Sequence, residues 1–233
     1  MLKIIFAGLI LLSVMSVYSQ ENVKSGEIRK VSGFTGVSVS GGIDLYLTNG
    51  PESVSVSAAS ISIRDHIITE VINGTLRIHL EENWNPGWGN PKMKANVSII
   101  TLKRLEASGG GDIYFQKEIT TDELNVHLSG GGNMEGKLIA NRLVIKQSGG
   151  SNVRLTGRVQ DLDVDASGGG NLKGFDLITD IASIHASGGS DSELTVNKEL
   201  RVVTSGGSDV SYKGHASVRE IKTSGGGSVT HKD

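Results

Sequence analysis

Ser108-Gly109-Gly110-Gly111-Asp112 is the first copy of a pattern that governs the second half of the chain. That pattern, Ser-Gly-Gly followed by Gly or Ser and then in most copies Asp or Asn, returns starting at Ser129, Ser148, Ser167, Ser187, Ser205 and Ser224. The intervals are 21, 19, 19, 20, 18 and 19 residues. A fixed period near 20 residues is the signature of a repeat architecture. Glycine supplies 32 residues of the chain, 22 of them beyond residue 105. Such enrichment alone would describe a flexible linker. Here the glycines are phased against Leu, Ile and Val, and a linker has no reason to hold apolar residues at fixed offsets.

Around each repeat Ser the apolar residues keep constant distances. Five and three before it they read Leu124/Val126, Leu143/Ile145, Leu162/Val164, Ala182/Ile184 and Leu200/Val202; the last copy keeps only Ile221. Five after it stand Ile113, Met134, Val153, Leu172, Val210 and Val229, with Ser192 the exception. A period of two on both sides of each turn marks short strands. A further apolar position, Ile119, Ile139, Val159, Ile178, Val196 and Val218, predicts a third strand and a three-sided rung. One rung cannot bury its apolar face alone, so rungs must stack into a continuous core. The expected fold is all-β: a single-stranded right-handed parallel β-helix (a solenoid) with rungs of about 19 residues. At about 4.8 Å per rung, seven rungs make a rod roughly 34 Å long.

The glycine pairs Gly109/Gly110, Gly130/Gly131, Gly149/Gly150, Gly168/Gly169, Gly188/Gly189, Gly206/Gly207 and Gly225/Gly226 then become stacked structural corners. Both members of each pair are expected to serve there, since the turn needs φ angles few other residues adopt and side chains would crowd the next rung. The polar residue that follows (Asp112, Asn133, Asn152, Asn171, Asp191, Asp209) is expected to form a ladder along one edge, since stacked amides hydrogen-bond from rung to rung.

The rest of the chain divides into a leader and a less regular half. Lys3, then Ile4 to Val17, then Val17-Tyr18-Ser19 read as a secretory signal over 1–19, cleaved before Gln20. The apolar run is about 14 residues, short of the roughly 20 that span a bilayer. After its removal no integral membrane segment is expected. Residues 20–104 form an N-terminal β-rich part and 105–233 the regular repeats. Ser40-Gly41-Gly42-Ile43-Asp44 foreshadows the corner, Asn73-Gly74 is a two-residue hairpin signal, and Ser60 to Val71 is the one stretch predicted as a helix.

Composition removes several function classes. Net charge is −2 with both signs dispersed, and aromatic content is 4%, so nucleic-acid binding has no support. The absence of cysteine excludes disulfides, thiolate metal sites and a cysteine nucleophile. Seven serines in equivalent corners are not nucleophiles, for no Gly-x-Ser-x-Gly elbow occurs. The glycine runs lack the Gly-Lys-Ser/Thr of a phosphate loop. No cofactor is expected.

Phe34 through Leu47, Asn73 through Leu80 and the Ser-Gly-Gly repeats together resemble the head GIN domain family of autotransporter-type adhesins, over roughly residues 25 to 230. The resemblance implies a secreted or periplasmic β-helical protein of Bacteroidota-type bacteria with a role in adhesion. It brings no catalytic residues.

Within that frame the sequence offers three candidate sites. Trp84 and Trp88 flank Pro86-Gly87 outside any alternating strand, placed to stack on sugar rings or to cap an open end of the core. Asp191 and Asp209, on adjacent rungs, are the best pair for a hard cation such as Ca²⁺, against a plain ladder role. Asp161, Asp163 and Asp165, with Arg154 and Arg158 near in sequence, are the densest acidic run and the basis for reading a polysaccharide lyase or hydrolase. His127 and His185 share a column three rungs apart, roughly 14 Å, too far for one metal. The expected function is a non-enzymatic, extracytoplasmic binding or adhesion scaffold meeting a glycan or an envelope protein; a carbohydrate-active enzyme and a passive envelope module are the alternatives.

Overall fold

The alternation around each glycine corner resolves into parallel strands stacked residue over residue between repeats. The computed structural model describes residues 26–85, 87 and 91–233; the expected leader and Trp88 lie outside the described residues. The N-terminal elements are β1 (Glu27–Arg29), β2 (Gly36–Val39), β3 (Asp44–Asn49), β4 (Ser53–Ser57), α1 (Ile61–Arg64), β5 (Ile67–Ile72), β6 (Thr75–Leu80) and β7 (Lys94–Ile99). Then come β8 (Arg104–Gly109), β9 (Ile113–Phe115), β10 (Ile119–Gly130), β11 (Asn133–Gly149), β12 (Asn152–Gly168), β13 (Asn171–Gly188), β14 (Asp191–Gly206), β15 (Asp209–Lys213), β16 (Ser217–Gly225) and β17 (Val229–His231). The seventeen strands belong to one continuous sheet wound into a β-solenoid of about seven turns with roughly 19-residue spacing. Among the described residues no helix is long and apolar enough to cross a membrane.

Rung order departs from chain order at the N-terminal end. β2 pairs in parallel with both β6 and β8, and β3 with both β7 and β9. The rung carrying the Ser40 corner therefore lies between the rung of residues 75–99 and the rung that starts at Arg104. The two sequence halves share one stack, because β8 pairs directly with β10. β4 runs antiparallel to β1 and β7 at the outside.

The core is the inward set of the alternation. Leu124, Val126, Leu143, Ile145, Leu162, Val164, Ala182, Ile184, Leu200 and Val202 are all buried. Each large aliphatic among them contributes roughly 1.5–3 kcal/mol by leaving water. Size is balanced across rungs: Gly136 lies directly over Phe115, and a Cβ there would run into the Phe115 side chain.

Three expectations are corrected. The predicted helix shrinks to Ile61–Arg64, with Ser60 Oγ accepting from the Ile63 N–H at 3.3 Å; Ile67–Ile72 is a strand. The Asn73-Gly74 turn, with φ of +50° and +72°, folds β5 back on β6, and β-branched residues gain more there than in a helix.

The third apolar column is misphased by counting. Ile119 stacks on Leu138 and Gly157, while Ile139 stacks on Arg158 and Ile178 on the outer side. Ile139 and Ile178 are accordingly exposed. A fixed offset fails because the first repeat takes four residues from Phe115 to Ile119 where the next takes two from Gly136 to Leu138, and because register shifts again along β12, β13 and β14. In the last copy Val218 and Ile221 are 42% and 46% exposed, because no further rung covers them among the described residues.

The glycine pairs, finally, are steric corners in their first member only. Gly109, Gly130, Gly149, Gly168, Gly188, Gly206 and Gly225 all have positive φ, and from Gly130 onward a Cβ would stand 2.4–2.7 Å from a carbonyl oxygen of the rung below. The second members, Gly110, Gly131, Gly150, Gly169, Gly189, Gly207 and Gly226, have no positive φ. A Cβ on the first five of these would meet nothing within 4 Å, and on Gly207 and Gly226 it would come no closer than 3.8 and 4.0 Å. Left-handed backbone and close stacking fall together on the first residue, while the second faces solvent.

Candidate functional site

Corners come first, because they set how outward side chains line up. What the second glycine supplies is a backbone donor. Gly131, Gly150, Gly169, Gly189, Gly207 and Gly226 each donate their N–H to the first glycine of the rung below, at 2.7–2.9 Å. The first residues after each corner therefore sit directly above their equivalents. Four residues after the repeat Ser, the expected polar ladder is present. Asp44 Oδ1 accepts from the Asp112 N–H at 3.1 Å, and Asp112 Oδ1 from the Asn133 N–H and Nδ2 at 2.8 and 2.9 Å. Asn133 Oδ1 accepts from Asn152 Nδ2 at 2.9 Å, and Asn152 Oδ1 from Asn171 Nδ2 at 3.1 Å. Asn171 Oδ1 accepts from the Asp191 N–H at 3.3 Å, and Asp209 Oδ1 from the Ser228 N–H at 2.9 Å.

Six residues after the Ser stands a second outward column that the hydrophobic alternation does not single out. It runs Tyr46, Tyr114, Glu135, Arg154, Lys173, Glu193, Ser211 and Thr230 in consecutive register. Tyr46 and Tyr114 stack with ring centroids 5.1 Å apart and planes 21° from parallel, and Lys94 Nζ lies 5.1 Å from the Tyr46 centroid. The Tyr114 hydroxyl donates to Asp112 Oδ2 at 3.1 Å. Burial, that bond to Asp112 and the nearby carboxylate charges push the Tyr114 phenol up to about 12. A groove of about 350 Å³ opens beside Tyr114, lined by Asn133, Glu135, Asn152, Arg154 and Lys173. The only sequence signal for this column is its constant offset from the repeat Ser, since outward positions share no residue type.

The residues singled out from sequence disperse around this framework. Trp84 is half-buried and stacks on the His66 ring, centroids 4.4 Å apart and planes 17° from parallel. His66 Nδ1 in turn lies 2.6 Å from Glu81 Oε2. Trp84 thus sits on a small polar cluster at the start of β5. Asp191 and Asp209 are register partners on adjacent rungs, both exposed. One Asp209 oxygen is already taken by Ser228, and among the described residues no group of three or more His, Asp or Glu side chains converges. A Ca²⁺ ion takes six to eight oxygens.

Asp161, Asp163 and Asp165 stand on β12 beside opposite charge on neighbouring rungs. Arg142 Nη2 reaches Asp163 Oδ2 at 3.8 Å, and Asp165 stands in register between Lys146 and His185. Arg158 turns instead to Asp180, at 3.4 Å, which Lys198 also contacts at 3.1 Å. Arg154 belongs to the column beside the ladder. His127 and His185 flank Lys146 and Asp165 on a mixed-charge face.

A parallel stack of this kind, with outward residues in straight, solvent-facing columns, places the chain among the β-solenoid repeat proteins. Within that class the chain belongs to the family described as "Putative auto-transporter adhesin, head GIN domain", whose model matches residues 33–216. Its fold is similar to that of a putative adhesin from Bacteroides fragilis, at 21% identity, covering 89% of this chain and 96% of that one with a TM-score of 0.85. A putative adhesin from Parabacteroides distasonis aligns at 17% identity over 89% and 96%, with a TM-score of 0.70. A putative lipid binding protein from the same species aligns at 18% identity over 90% and 96%, with a TM-score of 0.69. No protein of curated function matches the chain.

Proposed function

We propose that this protein is a non-enzymatic binding scaffold acting outside the cytoplasm, one that presents its lateral β-faces to a glycan or a protein of the bacterial envelope. The observation that carries this reading is the straight alignment of outward columns. Side chains repeat at about 4.8 Å along a stiff axis, a geometry matched to an extended partner. Family membership and the secretory leader read from residues 1–19 agree with it. The acidic run that would serve hydrolysis is spread along a face and offset by Arg142 and Lys146. General acid–base chemistry requires carboxyls aimed at one bond.

The purified protein is expected to bind bacterial cells or immobilised envelope glycans and to release no new reducing ends from uronic-acid polysaccharides. The Trp84→Ala and Trp88→Ala pair measures whether that loop contributes. Turnover of a polysaccharide, lost in Asp163→Ala, would replace this reading with an enzyme.

A further inference from the structure

Resting on the scaffold reading, the geometry points to one particular ligand site: the groove between Tyr114 and Lys173 takes a carboxylate-bearing oligosaccharide, a uronate. Tyr46 covers one face of the Tyr114 ring, and the groove opens on the side toward Glu135. Arg154 and Lys173 stand on successive rungs, their bases about 4.8 Å apart. Neither makes an ion pair or a side-chain hydrogen bond among the described residues, although Arg142, Arg158, Lys137, Lys198, Arg219 and Lys222 all do. Two adjacent cations therefore stand open in the groove that Tyr114 lines, separated from its ring by the Glu135 rung.

Each element of the groove selects a feature of the ligand. The C–H face of a pyranose packs on an aromatic ring, which buries large area with few rotors to freeze. Asn133 and Asn152, fixed by the ladder, each keep one unused amide N–H and a spare acceptor lone pair for sugar hydroxyls. The Arg154 guanidinium offers a planar fork that fits a carboxylate in two parallel bonds, and Lys173 a second, point-like charge. Glu135 and Glu193 bracket the two cations in the same column, giving a minus-plus-plus-minus order. That order accepts one or two negative charges and repels a densely sulfated chain. The ladder and corner bonds hold this surface rigid before binding, so little ordering entropy opposes it.

The test titrates the purified protein with oligogalacturonate, with a neutral oligosaccharide of equal length and with dextran sulfate, at low and moderate salt. Oligogalacturonate is expected to bind, more weakly as salt rises, and the neutral chain to bind poorly. The Arg154→Gln/Lys173→Gln double variant should lose about tenfold or more in affinity. Lys103→Gln/Lys146→Gln, the same change in net charge away from the groove, should lose little. Tyr114→Phe should keep binding and Tyr114→Ala should weaken it, with thermal melting confirming that each variant is folded. Equal loss in both double variants, no binding of oligogalacturonate, or preference for dextran sulfate would overturn the assignment. Cell binding that survives Arg154→Gln/Lys173→Gln would sink the groove and leave the scaffold reading standing; loss of all cell and glycan binding by the parent protein would sink the scaffold reading itself.

Discussion

At Gly149 the backbone φ is +82°, and a Cβ built there would stand 2.7 Å from the carbonyl oxygen of Gly130 on the rung below. At Gly150, its neighbour, a Cβ would meet nothing within 4 Å. The two glycines of one corner thus carry different constraints. The first is required because left-handed backbone and close stacking coincide, and an L-residue suffers from both. The second contributes its N–H, which any residue but proline also carries. Gly149→Ala is expected to destabilise the protein by about 2 kcal/mol or more, combining left-handed strain with displacement of the lower rung. Gly150→Ala is expected to change stability by less than about 1 kcal/mol in either direction. Urea unfolding of the two variants side by side checks this, and equal losses would mean the corner does not distinguish its glycines. Interior polar residues obey a related steric rule. Gln147 is buried, donating from Nε2 to Ser151 O, and it fits because Gly170 above it has no side chain.

Strands and ladders are legible in the sequence only in part, for identifiable reasons. The corners, the inward positions flanking them and the ladder all lie within about six residues of the repeat Ser and share its phase. The third strand does not share it, because the first repeat holds two extra residues between Phe115 and Ile119, and bulges later shift register between Arg154 and Gly157 and between Gly174 and Ile178. Ile139 and Ile178 therefore look inward by count and face outward in fact. The position of the Ser40 rung between two later ones is equally hidden, since period carries no information about stacking order. Of the candidate site, Arg154 stands out in the sequence only as a neighbour of the Asp161–Asp165 run. Alternation alone places it on the outer side but not in the column of Tyr114.

The head of the ladder, on the same scale, yields a pH prediction. Asp112 accepts from Tyr114, and the Tyr114 phenol lies at about 12, raised first by burial and then by that bond. In the unfolded chain it would titrate near pH 10. The folded state holds the proton more tightly, so this contribution is complete below about pH 10 and is lost as pH climbs toward about 12. Denaturant midpoints of the parent protein should therefore fall more steeply from about pH 9.5 to about 11.5 than those of Tyr114→Phe. Parallel curves would show that Tyr114 titrates normally.

End to end, the solenoid is asymmetric. At one end Leu76 and Ile78 of the outer rung are 0% exposed, with Ile67 of β5 equally buried beside them. At the other, β16 and β17 leave Val218 and Ile221 nearly half exposed, while Leu200 and Val202 one rung inward are 0% exposed. Repeat proteins behave as nearly one-dimensional systems, in which each rung is held by its own folding and by its interfaces with two neighbours. A terminal rung has one such interface, and this one leaves its apolar residues half in water. Opening should therefore begin at β16 and β17 and proceed inward, with amides opening at much lower free energy there than at the centre. Hydrogen exchange followed by mass spectrometry is expected to show residues 217–231 exchanging first, β14 and β15 next, and β11 to β13 last. The β5–β6 hairpin, despite lying at the opposite end, should resemble the centre more than the open terminus. Early exchange at β6 and β7 would show that the sealed end does not cap the stack. Protection of 217–231 that rises with protein concentration would show instead that a second copy covers Val218 and Ile221 in solution.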